Sequence, residues 1–298
     1  LNTTGAENTA VGSYALDAST TSPYNTAVGK SALTAVTTGD GRNTAVGWNA
    51  GASLTTGAYN TAFGMQALDS TTTGGQNCAF GAYSLDTNTT ANYNCAFGYY
   101  SLQLNTTGAS NVAIGYYALQ SNTTASYNTA IGQEALEKNT TGHSNNAVGY
   151  KALEANTTAN NNVAVGANAL DALNGSGGNN IAIGYEALGS ITTGEHNIAI
   201  GSYALDANNG NNNVAIAVHA LGANTTGANN VAVGQDSLRA NTTASNNTAV
   251  GHNAVKTVTT GERNTGVGVQ ALGNTATDVT NNVAVGVNAL YNTTGSSN

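Results

Sequence analysis

The sequence predicts an all-β protein, a parallel β-solenoid or β-roll with about one coil per 17-residue repeat. Three observations predict it. A phrase of the form N-x-A-[VIF]-G recurs along the whole chain at a spacing of 17. Its second and fourth residues are mostly β-branched and alternate with Ala, a two-residue period bounded by Asn and Gly. The composition joins 40% apolar residues to only 7% charged ones and a single proline. About a quarter of the residues of an ordinary globular protein are charged, and a disordered chain carries far fewer apolar groups. An ordered stack of small residues satisfies both counts.

The phrase begins at Asn8 and returns at 25, 43, 60, 77, 94, 111, 128, 145, 162, 180, 197, 213, 230, 247, 264 and 282. Three intervals are 18 and one is 16; the rest are 17. Seventeen repeats therefore fill residues 8–298, preceded by the tail of another, and 1–298 reads as one continuous array without a linker. A fixed short period is the signature of a solenoid, in which each unit stacks only on its neighbours.

With Asn as position 1, position 3 is Ala except at Gly266, and position 4 is always Val, Ile or Phe. Position 5 is Gly except at Ala217, position 8 is Ala or Ser, and position 9 is Leu except at Gly51 and Val255. Positions 2–4 read as a short strand. The A-L-x-x pieces, such as EALEKN at 134–139, are too short to stand as helices, and a second short strand or extended coil is expected there. Parallel coils about 4.8 Å apart would place like on like and make a rod of roughly 80 Å. If positions 4 and 9 fill the coil, the Ala row faces outward and lets another backbone approach. Ala10, Ala27, Ala45, Ala62, Ala79, Ala96, Ala113 and Ala130 are then candidates for packing between subunits of a homotrimer. The alternative is that Ala lines a narrow interior and the coil is self-sufficient.

Repeats such as Val112-Ala113-Ile114-Gly115-Tyr116-Tyr117-Ala118 and Ile198-Ala199-Ile200-Gly201-Ser202-Tyr203-Ala204 resemble the head repeats of YadA-like trimeric autotransporter adhesins. The N-T-A-V-G-x-x-A-L-x-x-N-T-T-G form is also similar to repeats of bacterial surface proteins and phage fibre proteins. The resemblance implies a left-handed β-roll and a trimeric head. The 17-residue unit is longer than the coil of those heads, and no coiled-coil stalk, neck or anchor accompanies it.

Net charge −8 with seven basic residues excludes nucleic acid as a partner, because phosphates need Lys and Arg. It also argues against an anionic membrane surface. No apolar run approaches the roughly 20 residues of a spanning helix, so no membrane insertion is expected. No basic-plus-apolar leader is visible, which places any export signal outside this chain or among removed residues.

No catalytic, cofactor or metal site is expected. His143, His196, His219 and His252 fall at unrelated repeat positions, and no H-x-x-x-H, C-x-x-C or G-x-S-x-G occurs. Cys78 and Cys95 share position 2 of adjacent repeats and read as small hydrophobes in a ladder. Acids recur at position 10, with Glu137, Glu154 and Asp171 in consecutive repeats; they read as a solvated edge rather than a Ca²⁺ row. Eleven N-x-[ST] triplets occur, at Asn2, Asn88, Asn105, Asn122, Asn139, Asn156, Asn174, Asn224, Asn241, Asn246 and Asn292, but Asn-Thr-Thr-Gly is also good turn chemistry.

Aromatics are the most patterned surface candidates. Positions 6 and 7 carry Trp48, Tyr83, Tyr99, Tyr100, Tyr116, Tyr117 and Tyr150 among polar neighbours. Such rings stack on sugars or anchor protein contacts; equally, they shield coil or subunit seams. The functional expectation is a non-enzymatic extracellular fibre or adhesin head segment on a cell or virion surface. It would act as a stiff stacked rod whose partners are copies of itself, as a homotrimer or end to end, and host-surface glycan or protein. The end-to-end version follows from an array that begins and ends mid-pattern. The alternatives are a ligand-binding solenoid, for glycan or for ice through the Thr pairs, and a phage tail-fibre shaft.

Overall fold

The computed structural model describes residues 3–295. The described residues contain 17 strands of three residues and no helix, and the coils form a parallel β-solenoid. The chain divides into two compact units, Leu1–Ala147 and Val148–Asn298. In the first, β1 (Thr9–Val11) to β8 (Thr129–Ile131) pair in succession, parallel and in register. In the second, β10 (Val163–Val165) to β17 (Val283–Val285) do the same. β9 (Asn146–Val148) falls at the division. Like therefore lies on like: Cys78 on Cys95, Ala79 on Ala96, Phe80 on Phe97.

Inside and outside are opposite to one sequence expectation. In β7 (Val112–Ile114), Ala113 is 0% exposed and Ile114 is 40% exposed. The expected intersubunit row, Ala27, Ala45, Ala62, Ala79, Ala96, Ala113 and Ala130, points into the coil, and only Ala10 in the first coil is exposed. Positions 3, 8 and 9, such as Ala113, Ala118 and Leu119, make the core. The interior is too narrow for a branched residue at position 3. Where Val255 replaces Leu at position 9, the next coil carries Gly266, whose added Cβ would lie 2.6 Å from a Val255 methyl. These two of the four exceptions to the repeat are thus one compensating pair.

The second expected strand is absent. After Gly115 the chain makes successive tight turns: Ala118 N–H donates to Gly115 O, Gln120 to Tyr117 O and Asn122 to Leu119 O. Tyr117 (φ 58°) and Leu119 (φ 51°) take the left-handed conformation, and their counterparts in other coils do so as well. That conformation costs about 1–2 kcal/mol for a residue with a Cβ. Full burial of Leu119 returns about 1.5–3 kcal/mol. The turn aims Leu inward, against the Ala residues of positions 3 and 8.

Two buried Asn rows tie the coils. Asn111 Oδ1 accepts the backbone N–H of Asn128, and its Nδ2 donates to Ala125 O, 14 residues on. The same arrangement recurs at position 1 in both units, for example at Asn43, Asn77, Asn180 and Asn230. At position 12, Asn122 Nδ2 donates to Asn105 Oδ1 at 2.8 Å and Asn139 Nδ2 to Asn122 Oδ1 at 2.9 Å.

Position 5 is Gly for a steric reason as well as a conformational one. Gly115 has φ 139°, and a Cβ there would collide with the backbone carbonyl of Gly132. Ala217 alone departs, at φ 108°. Ala217→Gly should therefore stabilise the protein by about 1 kcal/mol, while Gly115→Ala should destabilise it by more than that. Urea unfolding of the two variants beside the parent checks both signs.

Candidate functional site

The strand and the turn corner present different surfaces. On the strand, positions 2 and 4 point outward and carry Thr, Val, Ile, Phe, Cys and one Asn, with no charged residue in any of the 17 strands. Phe63, Phe80 and Phe97 stack along this face at 5.5 and 4.8 Å between ring centroids, with nearly parallel planes. Cys78 and Cys95 lie beside them as free, half-buried thiols; burial pushes both thiols up.

The turn corner holds the aromatic rows. Tyr83, Tyr99, Tyr100, Tyr116 and Tyr117 come together in the first unit. Tyr99 stacks on Tyr116 at 5.9 Å, Tyr83 on Tyr100 at 4.9 Å and Tyr100 on Tyr117 at 5.5 Å. A hydrogen bond to Tyr99 pushes Tyr100 up to about 12, and one to Tyr116 does the same for Tyr117. Trp48 stands exposed on an earlier coil of this unit, and Tyr150 is an exposed residue of the second. The rings stack on one another from coil to coil, and Tyr99 and Tyr116 remain exposed.

Another row escaped the sequence reading. Tyr24, Tyr59, Tyr93 and Tyr127 occupy the residue just before the repeat's Asn, all with positive φ and all exposed. The Arg42 guanidinium sits between Tyr24 and Tyr59, 5.0 and 5.4 Å from their centroids. The signal was present in the spacing: these tyrosines recur every second repeat at one fixed position, and Arg42 holds that position in the repeat between the first two.

The Thr pairs separate. The first Thr, as at Thr106 and Thr123, donates its hydroxyl to a carbonyl of the next coil, whereas the second, as at Thr107 and Thr124, is exposed. The N-x-[ST] triplets divide as well. Asn88, Asn105, Asn122, Asn139, Asn156, Asn224 and Asn241 are fully buried at position 12, where a glycan has no room. Asn174, Asn246 and Asn292 are exposed, and Asn2 lies outside the described residues.

In the second unit, position 10 is interrupted by glycines. Gly189 opens a recess of about 140 Å³ lined by Asp171, Glu186, Ser190 and Asp206. Gly222 opens one of about 230 Å³ lined by Tyr203, Asp206, His219, Ala223 and Arg239. His219 stacks on Tyr203 at 5.1 Å, so one of the scattered histidines joins an aromatic row. Comparison with protein-family models, with curated proteins and with solved structures returns no match. The class that the fold defines is therefore the β-solenoid repeat protein.

Half-burial raises four of the position-10 carboxyls. Asp86 is pushed up to about 6, by burial first and by the Asp69 charge second. Asp69, Asp171 and Asp206 are raised mainly by burial. A carboxyl that holds its proton more tightly folded than unfolded adds stability at low pH, lost as pH rises through its folded value. The protein should therefore melt higher at pH 4.5 than at pH 7. Asp86→Asn should raise stability at pH 7 by about 1 kcal/mol, after allowance for screening of a half-exposed group, and should flatten the profile between pH 4 and 7. Thermal melts across that range check both.

Proposed function

We propose that this chain is a structural and adhesive segment of an extracellular fibre or head, assembled from copies of itself as a homotrimer. The observation that carries this reading is the uncharged outer strand face. The chain has net charge −8, and the charges sit on the turns and loops. The strand face is where a second copy meets apolar side chains and no carboxylate. Val, Ile and Phe at position 4 remain 36–50% exposed along most of it, and rows of exposed apolar groups mark association surfaces. The subunit contact thus moves from the Ala row, which is core, to the position 2 and 4 rows of the same strands. The stacked coils supply stiffness, and the turn corner stays outward to present the aromatic rows to a host-surface glycan or protein.

Sedimentation equilibrium with the variant Ile114→Lys/Ile131→Lys tests this. Lysines on the strand face leave the coil interior untouched, so circular dichroism should not change. The parent should sediment at three times 29.7 kDa and the variant as a monomer. A parent that remains monomeric at tens of micromolar contradicts the proposal.

A further inference from the structure

We propose that the recess at Gly222 binds a carboxylated monosaccharide of the hexuronate class. Position 10 changes sign there. It runs Asp206, Gly222, Arg239 over three successive coils, an acid and a base separated by a residue without a side chain. At about 4.8 Å per coil the two charged positions stand about 10 Å apart. A cavity of about 230 Å³ between these positions has room for one pyranose ring.

The chemistry of the walls assigns the ends. Arg239 Nη1 is held at 3.2 Å by the buried Asp236. The pair is an ion contact outside hydrogen-bond geometry, and Arg239 lines the recess with a planar guanidinium of the kind that can take two carboxylate oxygens at once. Asp206 lines the other end and also the Gly189 recess, one carboxylate oxygen turned toward Gly189 and Ser190, next to groups of its own sign, Glu186 and Asp171. Nothing anionic is welcome there, and sugar hydroxyls can donate to its oxygens. The stacked Tyr203 and His219 rings form the side wall, an apolar edge for ring C–H groups and a ring nitrogen for a hydroxyl. A ligand with one carboxylate, several hydroxyls and a compact apolar ring meets all four demands.

Binding here is independent of self-association, because the recess lies on the turn corner and not on the strand face. Saturation-transfer NMR and calorimetry on the full chain, with galacturonate and its neutral counterpart galactose, test it. Galacturonate should bind at least tenfold more tightly than galactose. Arg239→Gln should abolish that preference. Gly222→Gln should remove binding altogether while preserving the melting temperature, since Gln103 and Gln120 occupy this same repeat position in other coils and an added Cβ would lie no closer than 3.3 Å to its neighbours. Absence of galacturonate binding at millimolar concentration, equal binding of galactose, or binding unchanged in Gly222→Gln would each overturn the proposal. Loss of the trimer with binding intact would count against the proposed assembly alone.

Discussion

Everything in this fold depends on a buried amide. A coil 17 residues around has too little interior for a conventional apolar core, so its corner is closed by the side chain of Asn at position 1. That amide reaches across its own coil to a carbonyl 14 residues on and upward to the backbone N–H of the next Asn. Buried polar groups are tolerable only when paired, and here each Asn is paired by the coils on either side. The requirement propagates. Stacking of Asn on Asn fixes the register, register brings position 5 of adjacent coils into backbone contact, and contact demands Gly. Tight stacking also holds Tyr and Leu at positive φ, a conformation neither would keep alone.

The repeat, the strand positions and the parallel stacking could all be read from spacing, because a phrase as regular as N-T-A-V-G, returning at so short a period, fits stacked coils and little else. The phase of the strand could not. A three-residue strand with alternating sizes can bury either parity, and period alone does not say which. Bulk argued for Val inside; the narrow coil takes Ala113 and turns Ile114 out. The Val255–Gly266 pair carried the answer, since one departure from the repeat compensates the other only if both face the same interior.

The aromatic candidates were partly legible. Tyr83 to Tyr117 come together as the repeat positions imply, while the Tyr24–Arg42–Tyr59 row lies at the residue before Asn, outside the strand and turn phrases, and the Tyr203–His219 pair was hidden among histidines at unrelated repeat positions. Sequence motifs for glycosylation misled in the other direction. Asn105 and its equivalents look like acceptors but are core residues, because the same Asn-Thr-Thr triplet that attracts a glycan also builds an interior ladder. The two surfaces differ in kind: the strand face carries no charged residue, and the turn corner varies from coil to coil.

The central role of the amide is tested most directly by the stability of Asn111→Ala beside Thr124→Ala, an exposed control on the same coil, with amide hydrogen exchange followed at Asn128. Removing the Asn111 side chain strands the Asn128 N–H in the interior, at about 1–3 kcal/mol for an unsatisfied group, and leaves the Ala125 carbonyl with Asn122 Nδ2 as its one remaining side-chain donor. Asn111→Ala should lose about 1–3 kcal/mol of stability and speed exchange at Asn128 at least tenfold, with Thr124→Ala near the parent. If Asn111→Ala costs less than about 0.5 kcal/mol, within the range of a neutral surface change, and exchange at Asn128 is unaltered, the coils are held together by something other than the buried amides.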